Sequence, residues 1–175
     1  MKSFRINTAD LKSFIPDISC GDEVLLSGTV YTARDAAHKR IVDLIANDLP
    51  LPFDLMDSAI YYAGPTPERE ATVCGSFGPT TSSRMDAYSP LMLDKGLLCM
   101  IGKGPRSTDV VNAIVRNKAI YLCAIGGAGA LASKCIKSLE VIAFPELGCE
   151  SVKKLVFDDF PLICGIDCFG RGLFK

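Results

Sequence analysis

The sequence predicts an α/β fold, because apolar runs of strand length alternate with amphipathic segments of helix length along most of the chain. The alternation is most regular in the second half, where strands and helices follow one another at spacings typical of parallel βαβ units. The 175 residues fit a single domain, 1–175, and 49% of them are apolar, which is enough for a core.

The first elements to be predicted are a strand and a helix. Asp22–Tyr31 alternates apolar and polar residues as a half-buried strand does. The helix is expected over Thr32–Asn47, because Thr32 and Asp35 have the spacing of a capping box. A short apolar strand, Ala59–Ala63, comes next.

The later elements begin with a second helix from about Thr81, which Pro90 either breaks or restarts. The regular segments that follow are strand Leu97–Ile101, helix Ser107–Arg116, strand Ala119–Ile125, helix Ala128–Ile136 and strand Leu139–Phe144. At the end, Pro161–Asp167 and Leu173–Phe174 are predicted to form a hairpin that turns at Gly170. Antiparallel strands are expected at both ends of the chain.

Charge and hydropathy exclude several classes of protein. With 19 basic and 20 acidic residues, the chain lacks the basic excess of a nucleic-acid-binding protein. The apolar runs are far shorter than the roughly 20 residues of a membrane helix, and Met1–Ile6 does not begin a signal peptide. We therefore expect a cytoplasmic protein without nucleic-acid or membrane contacts.

The eight cysteines do not form a recognisable metal or redox motif, because no pair has C-x-x-C spacing. Several lie in apolar runs, where a reduced cysteine behaves as a small hydrophobic residue. His38 is the single histidine, so this chain alone cannot build a classical histidine-based metal site. We expect no metal ligands in it.

The first candidate motif is Tyr31–Arg40, at the junction of the first predicted strand and helix. Unpaired N–H groups and the helix dipole make such a junction receptive to anions. Arg34 is unusual in a first turn, and its guanidinium can hold a carboxylate through two hydrogen bonds. The alternative is a surface arginine paired with Asp35 or another acid.

The second candidate motif is Gly78–Asp86, in which four consecutive hydroxyl residues follow Gly-Pro. Hydroxyl side chains are typical helix caps and also donate hydrogen bonds near the helix start. Arg84 comes within about the first turn, so two arginines at two helix starts would suit a ligand with two carboxylates. The alternative is an N-cap with no ligand.

The third candidate motif is Ile101–Gly104, where glycines flank Lys103 directly after a predicted strand. The glycines let the backbone approach a ligand closely, although a flexible turn with a solvated lysine is the alternative. Ligands of parallel sheets bind at the carboxyl ends of the strands. The first and third motifs both follow predicted strands and are therefore expected at that edge.

A rival motif, Gly127–Ala132, satisfies G-x-G-x-x-A between a predicted strand and a predicted helix. Glu146 follows Gly127 by 19 residues, as in a dinucleotide fingerprint whose acid binds a ribose. Close packing of small residues between helix and strand is the alternative interpretation.

Taken together, the three motifs resemble the β subunit of class I fumarate hydratase. Two further stretches carry the same resemblance and run in the same order, Asp57–Pro67 and Gly126–Lys134. The likeness covers nearly the whole chain, and Gly78–Asp86 is its most specific part. A similar region forms the C-terminal domain of single-chain members and the β subunit of L(+)-tartrate dehydratase.

The resemblance implies a swivelling β/β/α domain and a hydro-lyase that reversibly hydrates fumarate to (S)-malate. It also implies a hetero-oligomer whose site is shared with an α subunit, and a chain that is inactive alone. An oxygen-sensitive 4Fe–4S cluster would be held by three cysteines of that α subunit and by no residue here. The loop around Gly127 would then serve packing.

The resemblance also implies roles for individual residues. Arg34 and Arg84 would bind the substrate's carboxylates, with contacts from Thr81 and Lys103. Thr80 would accept a proton from the carbon next to a carboxylate, and Lys103 would stabilise its alkoxide. Two residues would support the site, Asp35 and His38. The alternatives are the β subunit of L(+)-tartrate dehydratase, or a non-catalytic domain that binds a dinucleotide or a small dicarboxylate.

Overall fold

A computed structural model describes residues 1–66, 75–124 and 129–174 of the chain. The strands are β1 (Ser3–Asn7), β2 (Glu23–Thr32), β3 (Ala59–Tyr61), β4 (Cys99–Gly102), β5 (Ile120–Ala124), β6 (Ile136–Ala143) and β7 (Val152–Ile166). The α-helices are α1 (Leu11–Phe14), α2 (Asp35–Ala46), α3 (Ser89–Asp94), α4 (Thr108–Asn117) and α5 (Gly129–Lys134). Turns of 3-10 helix cover Ile15–Asp17, Ser82–Met85 and Pro145–Glu150. The α/β prediction is therefore confirmed.

The strands form one mixed sheet in the order β1-β2-β3-β4-β5-β7-β6. Neighbouring strands from β1 to β5 are parallel, whereas β7 is antiparallel to β2, β5 and β6. Because β7 bonds to both β2 and β5, the strands β2, β3, β4, β5 and β7 close into a hydrogen-bonded ring. Because β2, β3 and β4 are parallel, their carboxyl ends lie at the same edge of the sheet.

The core lies on both faces of the sheet, because successive strand residues point to opposite sides. One buried cluster includes Tyr61 of β3 and Leu11 of α1. The other includes the preceding strand residue, Ile60, and packs it against α2, α3 and α4. The helices that carry the candidate motifs are therefore fixed to one face of the sheet.

The first cluster contains two stacked aromatic rings that belong to residues of β7. The rings of Phe157 and Phe160 are 4.2 Å apart, and Tyr61 meets both of them edge-on at 5.9 and 5.5 Å. All three side chains are buried. These contacts tie the closing strand β7 to β3.

Helix α2 begins later than the capping box predicts, because Thr32 is still part of β2. The Thr32 hydroxyl donates to the Ser151 carbonyl and accepts the Lys153 N–H, so it is not available to cap a helix. Arg34 takes the N-cap position with extended backbone, and α2 starts at Asp35. The capping-box prediction was wrong for this reason.

Three further expectations differ from the structure. β1 is parallel to β2, so among the strands of the described residues the antiparallel addition lies at the carboxyl-terminal end. β7 starts at Val152, well before the predicted strand at Pro161, although Gly170 does turn the chain so that Gly172 pairs with Ile166. The helix expected from Thr81 is a 3-10 turn, after which Pro90 lies in the first turn of α3.

No helix within the described ranges is long and apolar enough to cross a membrane.

The single histidine, His38, lies on the buried face of α2. Its Nδ1 lies 2.9 Å from the Arg34 carbonyl oxygen, and its ring meets the edge of Tyr62. Burial lowers the pKa of His38 to about 4, with Arg106 contributing in the same direction, against the opposite influence of the Arg34 carbonyl and Asp35. The imidazole is therefore neutral at physiological pH and holds the backbone that carries Arg34.

The Phe157→Ala variant is expected to lose about 3–5 kcal/mol of unfolding free energy, because it leaves a cavity beneath β7. Urea denaturation followed by circular dichroism measures the loss. The matched control is Phe169→Ala, whose ring is 56% exposed and contacts Arg171. That change is expected to cost no more than about 1 kcal/mol. Equal losses in the two variants would contradict the packing described for β7.

Stability is expected to fall as pH decreases from 6.5 towards about 4, because the unfolded chain protonates His38 in this window and the folded chain does not. The loss from this group is on the order of 3 kcal/mol at the lower limit. The unfolding free energies of wild type and His38→Gln are measured by urea titration at each pH. The difference between the two proteins separates the contribution of His38 from that of the carboxylates. Parallel pH profiles for the two proteins would show that the imidazole titrates normally in the fold.

Candidate functional site

The carboxyl ends of β2, β3 and β4 bring the three sequence motifs to one edge of the sheet. Arg34 follows β2 and Lys103 follows β4, as the sequence predicts. The segment after β3 receives the second motif, since the Thr80 N–H donates to the Tyr62 carbonyl at 2.7 Å. All predicted site residues therefore lie at this edge or directly beneath it.

Arg34 is held by an acid that the sequence did not reveal. Its Nη2 lies 3.2 Å from Oε1 of Glu150, and both side chains are 22% exposed. Oε2 of Glu150 accepts the Ala36 N–H at 3.1 Å, at the start of α2. The pairing with an acid that the alternative interpretation of Arg34 expected is therefore observed, with Glu150 as the acid. Binding of a ligand carboxylate by Arg34 stays a prediction. No local pattern could identify Glu150, because it lies far along the chain.

Arg84 joins the second motif to the first. Its Nε donates to Oδ1 of Asp35 at 2.9 Å, across the gap between the 3-10 turn and α2. Arg34 and Asp35 are adjacent in sequence, so the two arginines flank the start of α2 from different segments. The expectation that these two arginines bind a ligand with two carboxylates stays a prediction.

Lys103 joins the third motif to the second. Thr81 and Lys103 form a parallel bridge, and the Ser82 N–H donates to the Lys103 carbonyl at 2.9 Å. The Lys103 N–H in turn donates to Ser82 Oγ at 3.0 Å. A Cβ on Gly102 would lie 2.0 Å from Ser82 Oγ, so only glycine permits this approach.

Thr80, Thr81 and Lys103 differ in their exposure. Thr80 is half-buried, whereas Thr81 and the Lys103 side chain are exposed at the edge of the sheet. Their backbones are fixed on both sides by the bonds to Tyr62 and Ser82. The arrangement presents two hydroxyl groups and one ammonium group from a rigid backbone.

Beneath these residues lies a third arginine, Arg106, which the sequence analysis missed. Its side chain is 0% exposed and bonds to Asp86 at 2.6 Å and to Ser89 Oγ at 2.7 Å. Its guanidinium also lies over the rings of Tyr62 and Tyr121, at 5.3 and 5.0 Å. The position of Arg106 just before the N-cap Ser107 gave no signal of burial.

The Tyr121 hydroxyl completes this underlying layer. It is within hydrogen-bonding distance of Ser82 Oγ, at 2.9 Å, and of the Gly104 carbonyl oxygen, at 3.0 Å. Burial raises the pKa of the Tyr121 hydroxyl, so it remains protonated and able to donate. The hydroxyl therefore fixes the loop that carries Lys103 against the 3-10 turn that carries Arg84.

Three buried polar atoms at the start of α2 lack a hydrogen-bond partner among the described residues. They are Nε of Arg34, Oδ2 of Asp35 and Nε2 of His38. Buried polar atoms in native proteins are normally paired with protein, water or a ligand. Together with the exposed cationic groups, they make this edge a suitable place for a polar, anionic ligand.

A metal cluster does not fit the part of the chain that the structure describes. Within residues 1–66, 75–124 and 129–174, no three side chains of His, Cys, Asp or Glu are grouped to hold a metal ion. Burial raises the pKa of several of the thiols there, including Cys99 and Cys164, which keeps them protonated. Cys74 lies outside the described residues.

The dinucleotide motif falls mostly outside the described residues, which omit 125–128. Gly129 is described, and a Cβ there would lie 2.3 Å from Ser76 Oγ. Gly129 therefore packs against the segment that directly precedes the second motif. Glu146 lies in the 3-10 turn after β6 and forms an ion pair with Arg40. The acid expected to bind a ribose is thus engaged elsewhere.

Comparison with known proteins gives a family for the whole chain. The sequence model described as Fumarase C-terminus matches residues 1–175. The chain is 42% identical over 157 residues to fumarate hydratase 2 of Leishmania major, covering 89% of this chain and 28% of that protein. It is 41% identical over 152 residues to the aerobic class I fumarate hydratase of Escherichia coli (strain K12), covering 86% of this chain and 28% of that protein.

A third relative is closer in length. The chain is 35% identical over 170 residues to the putative L(+)-tartrate dehydratase subunit beta of Methanocaldococcus jannaschii, covering 94% of this chain and 87% of that protein. The chain therefore spans only 28% of the fumarate hydratases named above but most of this β subunit. From the match over its full length, this chain belongs to the Fumarase C-terminus family.

Proposed function

We propose that this chain is the β subunit of an iron–sulfur hydro-lyase that reversibly hydrates fumarate to (S)-malate, in a site shared with an α subunit. The observation that carries the proposal is the convergence of the three motifs. The ion pair between Arg84 and Asp35 and the bridge between Thr81 and Lys103 join them into one cationic, hydroxyl-bearing edge. Membership of the Fumarase C-terminus family supports the same reaction class.

In this proposal Arg34 and Arg84 bind the two carboxylates of the substrate. A guanidinium pairs with a carboxylate through parallel N–H bonds, which fixes orientation as well as charge. Arg84 donates its Nε–H to Asp35, whereas Arg34 meets Glu150 as an ion pair through one nitrogen, and both arginines keep other donors for a ligand. Thr81 and Lys103 add contacts from the neighbouring segment.

Thr80 acts as the proton acceptor. In the dehydration direction its alkoxide takes the proton from the carbon next to a carboxylate, and in hydration the hydroxyl returns that proton. A threonine hydroxyl is a weak acid, so the positive charge of Lys103 stabilises the alkoxide. Asp35 orients Arg84, and His38 holds the Arg34 carbonyl, so both support the site without contacting the substrate.

In this proposal the 4Fe–4S cluster is held by the α subunit and by no residue of this chain. Length supports a partner of this kind, since the fumarate hydratase relatives extend far beyond the matched region. The cytoplasmic location and the single domain expected from the sequence stay predictions.

A β subunit of L(+)-tartrate dehydratase is the second candidate. The observation that favours it is length, because the chain covers 87% of the Methanocaldococcus jannaschii subunit and aligns over 170 residues. Tartrate also carries two carboxylates, so the same pair of arginines would bind it. Substrate choice then depends on groups that contact the central carbons.

Anaerobic affinity purification of the tagged chain from its native cells is expected to recover a second, iron-containing chain. The complex is expected to consume fumarate, followed by loss of its ultraviolet absorbance, whereas the isolated chain shows no activity. Consumption of L(+)-tartrate in place of fumarate would select the second candidate. Activity of the isolated chain after treatment with iron and sulfide, or inertness towards both acids, would contradict the shared site.

The Arg84→Lys variant of the active complex is expected to raise KM for the dicarboxylate roughly tenfold to a hundredfold. Lysine keeps the charge but loses the second hydrogen bond to a carboxylate, a loss of about 1.5–3 kcal/mol. Steady-state kinetics measure the change. The matched control is Arg116→Lys, because Arg116 is 48% exposed and paired with Asp94, whereas Arg84 is 49% exposed and paired with Asp35. Equal KM values in both variants would show that Arg84 does not bind the substrate.

A further inference from the structure

The carboxylate of Glu150 lies where an anionic ligand would be expected, at the start of α2. Its two oxygens have different partners, since Oε1 is 3.2 Å from Arg34 Nη2 and Oε2 accepts the Ala36 N–H at 3.1 Å. A carboxylate at a helix N-terminus is stabilised by the unpaired N–H groups and the helix dipole. Glu150 therefore has a binding partner at α2 that does not involve Arg34.

The turn that carries Glu150 is also fixed independently of Arg34. The buried Lys153 ammonium donates to the carbonyl oxygens of Gly148, Cys149 and Ser151 and to the Ser151 hydroxyl, over 2.7–3.2 Å. On the other side, a Cβ on Gly64 would lie 2.6 Å from the Cys149 carbonyl oxygen. The turn is thus held between β7 and the segment after β3. The backbone of Glu150 is therefore fixed without any contact from Arg34.

The contact leaves Arg34 with donors for a second anion. Glu150 engages a single nitrogen of the guanidinium instead of forming the two-bond pair of a competing carboxylate. Nε of Arg34 is buried and has no partner among the described residues. A carboxylate that holds one end of the guanidinium limits the rotamers of Arg34 and leaves its other nitrogens without Glu150 as a partner.

We propose that Glu150 is a positioning residue for Arg34, which holds the guanidinium in the orientation that binds a substrate carboxylate. The identity of that carboxylate as part of the substrate rests on the proposed function, whereas the contact between Glu150 and Arg34 does not. Glu150 acts through Arg34 and not on the substrate. Its effect therefore appears in substrate binding and not in the chemical step.

The first test is kinetic and uses the active complex with its α subunit. Glu150→Gln is expected to raise KM about tenfold and to leave kcat within about twofold, because Arg34 loses its charged partner while Thr80 and Lys103 are untouched. Glu146→Gln is the matched control, since Glu146 lies in the same turn but pairs with Arg40. Its KM is expected to equal that of wild type. A lower KM in Glu150→Gln would identify Glu150 as a competitor of the substrate and overturn the proposal, as would an unchanged KM.

The second test does not depend on activity. In ¹⁵N-labelled full chain, the Nε–H signal of Arg34, assigned by its loss in Arg34→Lys, is expected to be resolved and to exchange slowly with water. In Glu150→Gln it is expected to broaden, and in Glu146→Gln to persist. The same Arg34 signal in all three proteins would overturn the proposal. If the wild-type complex lacks activity, the proposed function fails while this measurement still decides whether Glu150 holds Arg34.

Discussion

The buried guanidinium of Arg106 is the group on which the arrangement of the site depends. Removing a charge from water is unfavourable, so a buried arginine persists only with a carboxylate, further hydrogen bonds or aromatic faces around it. Arg106 has all three, in Asp86, Ser89 and the rings of Tyr62 and Tyr121. Tyr62 directly follows β3, Tyr121 lies in β5, and Asp86 and Ser89 lie before and at the start of α3. Satisfying the one buried charge therefore fixes three parts of the chain together.

The sequence is most informative where structure is determined locally. The ends of β2 and α4 were each predicted to within one residue, because periodicity and a capping serine act over short range. The first half of β7 could not be predicted, since Lys153 is buried through bonds to a turn that only the tertiary fold creates. The partners of Arg34 and Arg106 were missed for a related reason. An ion pair between distant residues leaves no local pattern, so Glu150 and Asp86 were identified only when the chain was folded.

The candidate site is a set of charges that the chain balances within itself. The half-buried Arg34 and the exposed Arg84 each have one acid near the start of α2, Glu150 for Arg34 and Asp35 for Arg84. Each of these pairs joins two segments of the chain. Such pairs are worth little to stability at partly exposed positions. Their effect is geometric, because they restrict long side chains to few conformations before any ligand binds. The unpaired buried atoms at the same place indicate that the network is complete only with a further polar partner.

The closure of the ring by β7 has a consequence for the order in which the protein can fold during synthesis. Glu23 pairs with Ile163, and Thr32 bonds to Ser151, so contacts of the first long strand await residues that leave the ribosome more than a hundred positions later. Contacts of such long sequence separation slow folding, because a large loop must close before they form. The turn bearing Glu150 and Lys153 arrives with the same final strand. The edge that carries the three motifs is therefore completed only after β7 has been made, and earlier intermediates expose the unpaired edges of β2 and β5.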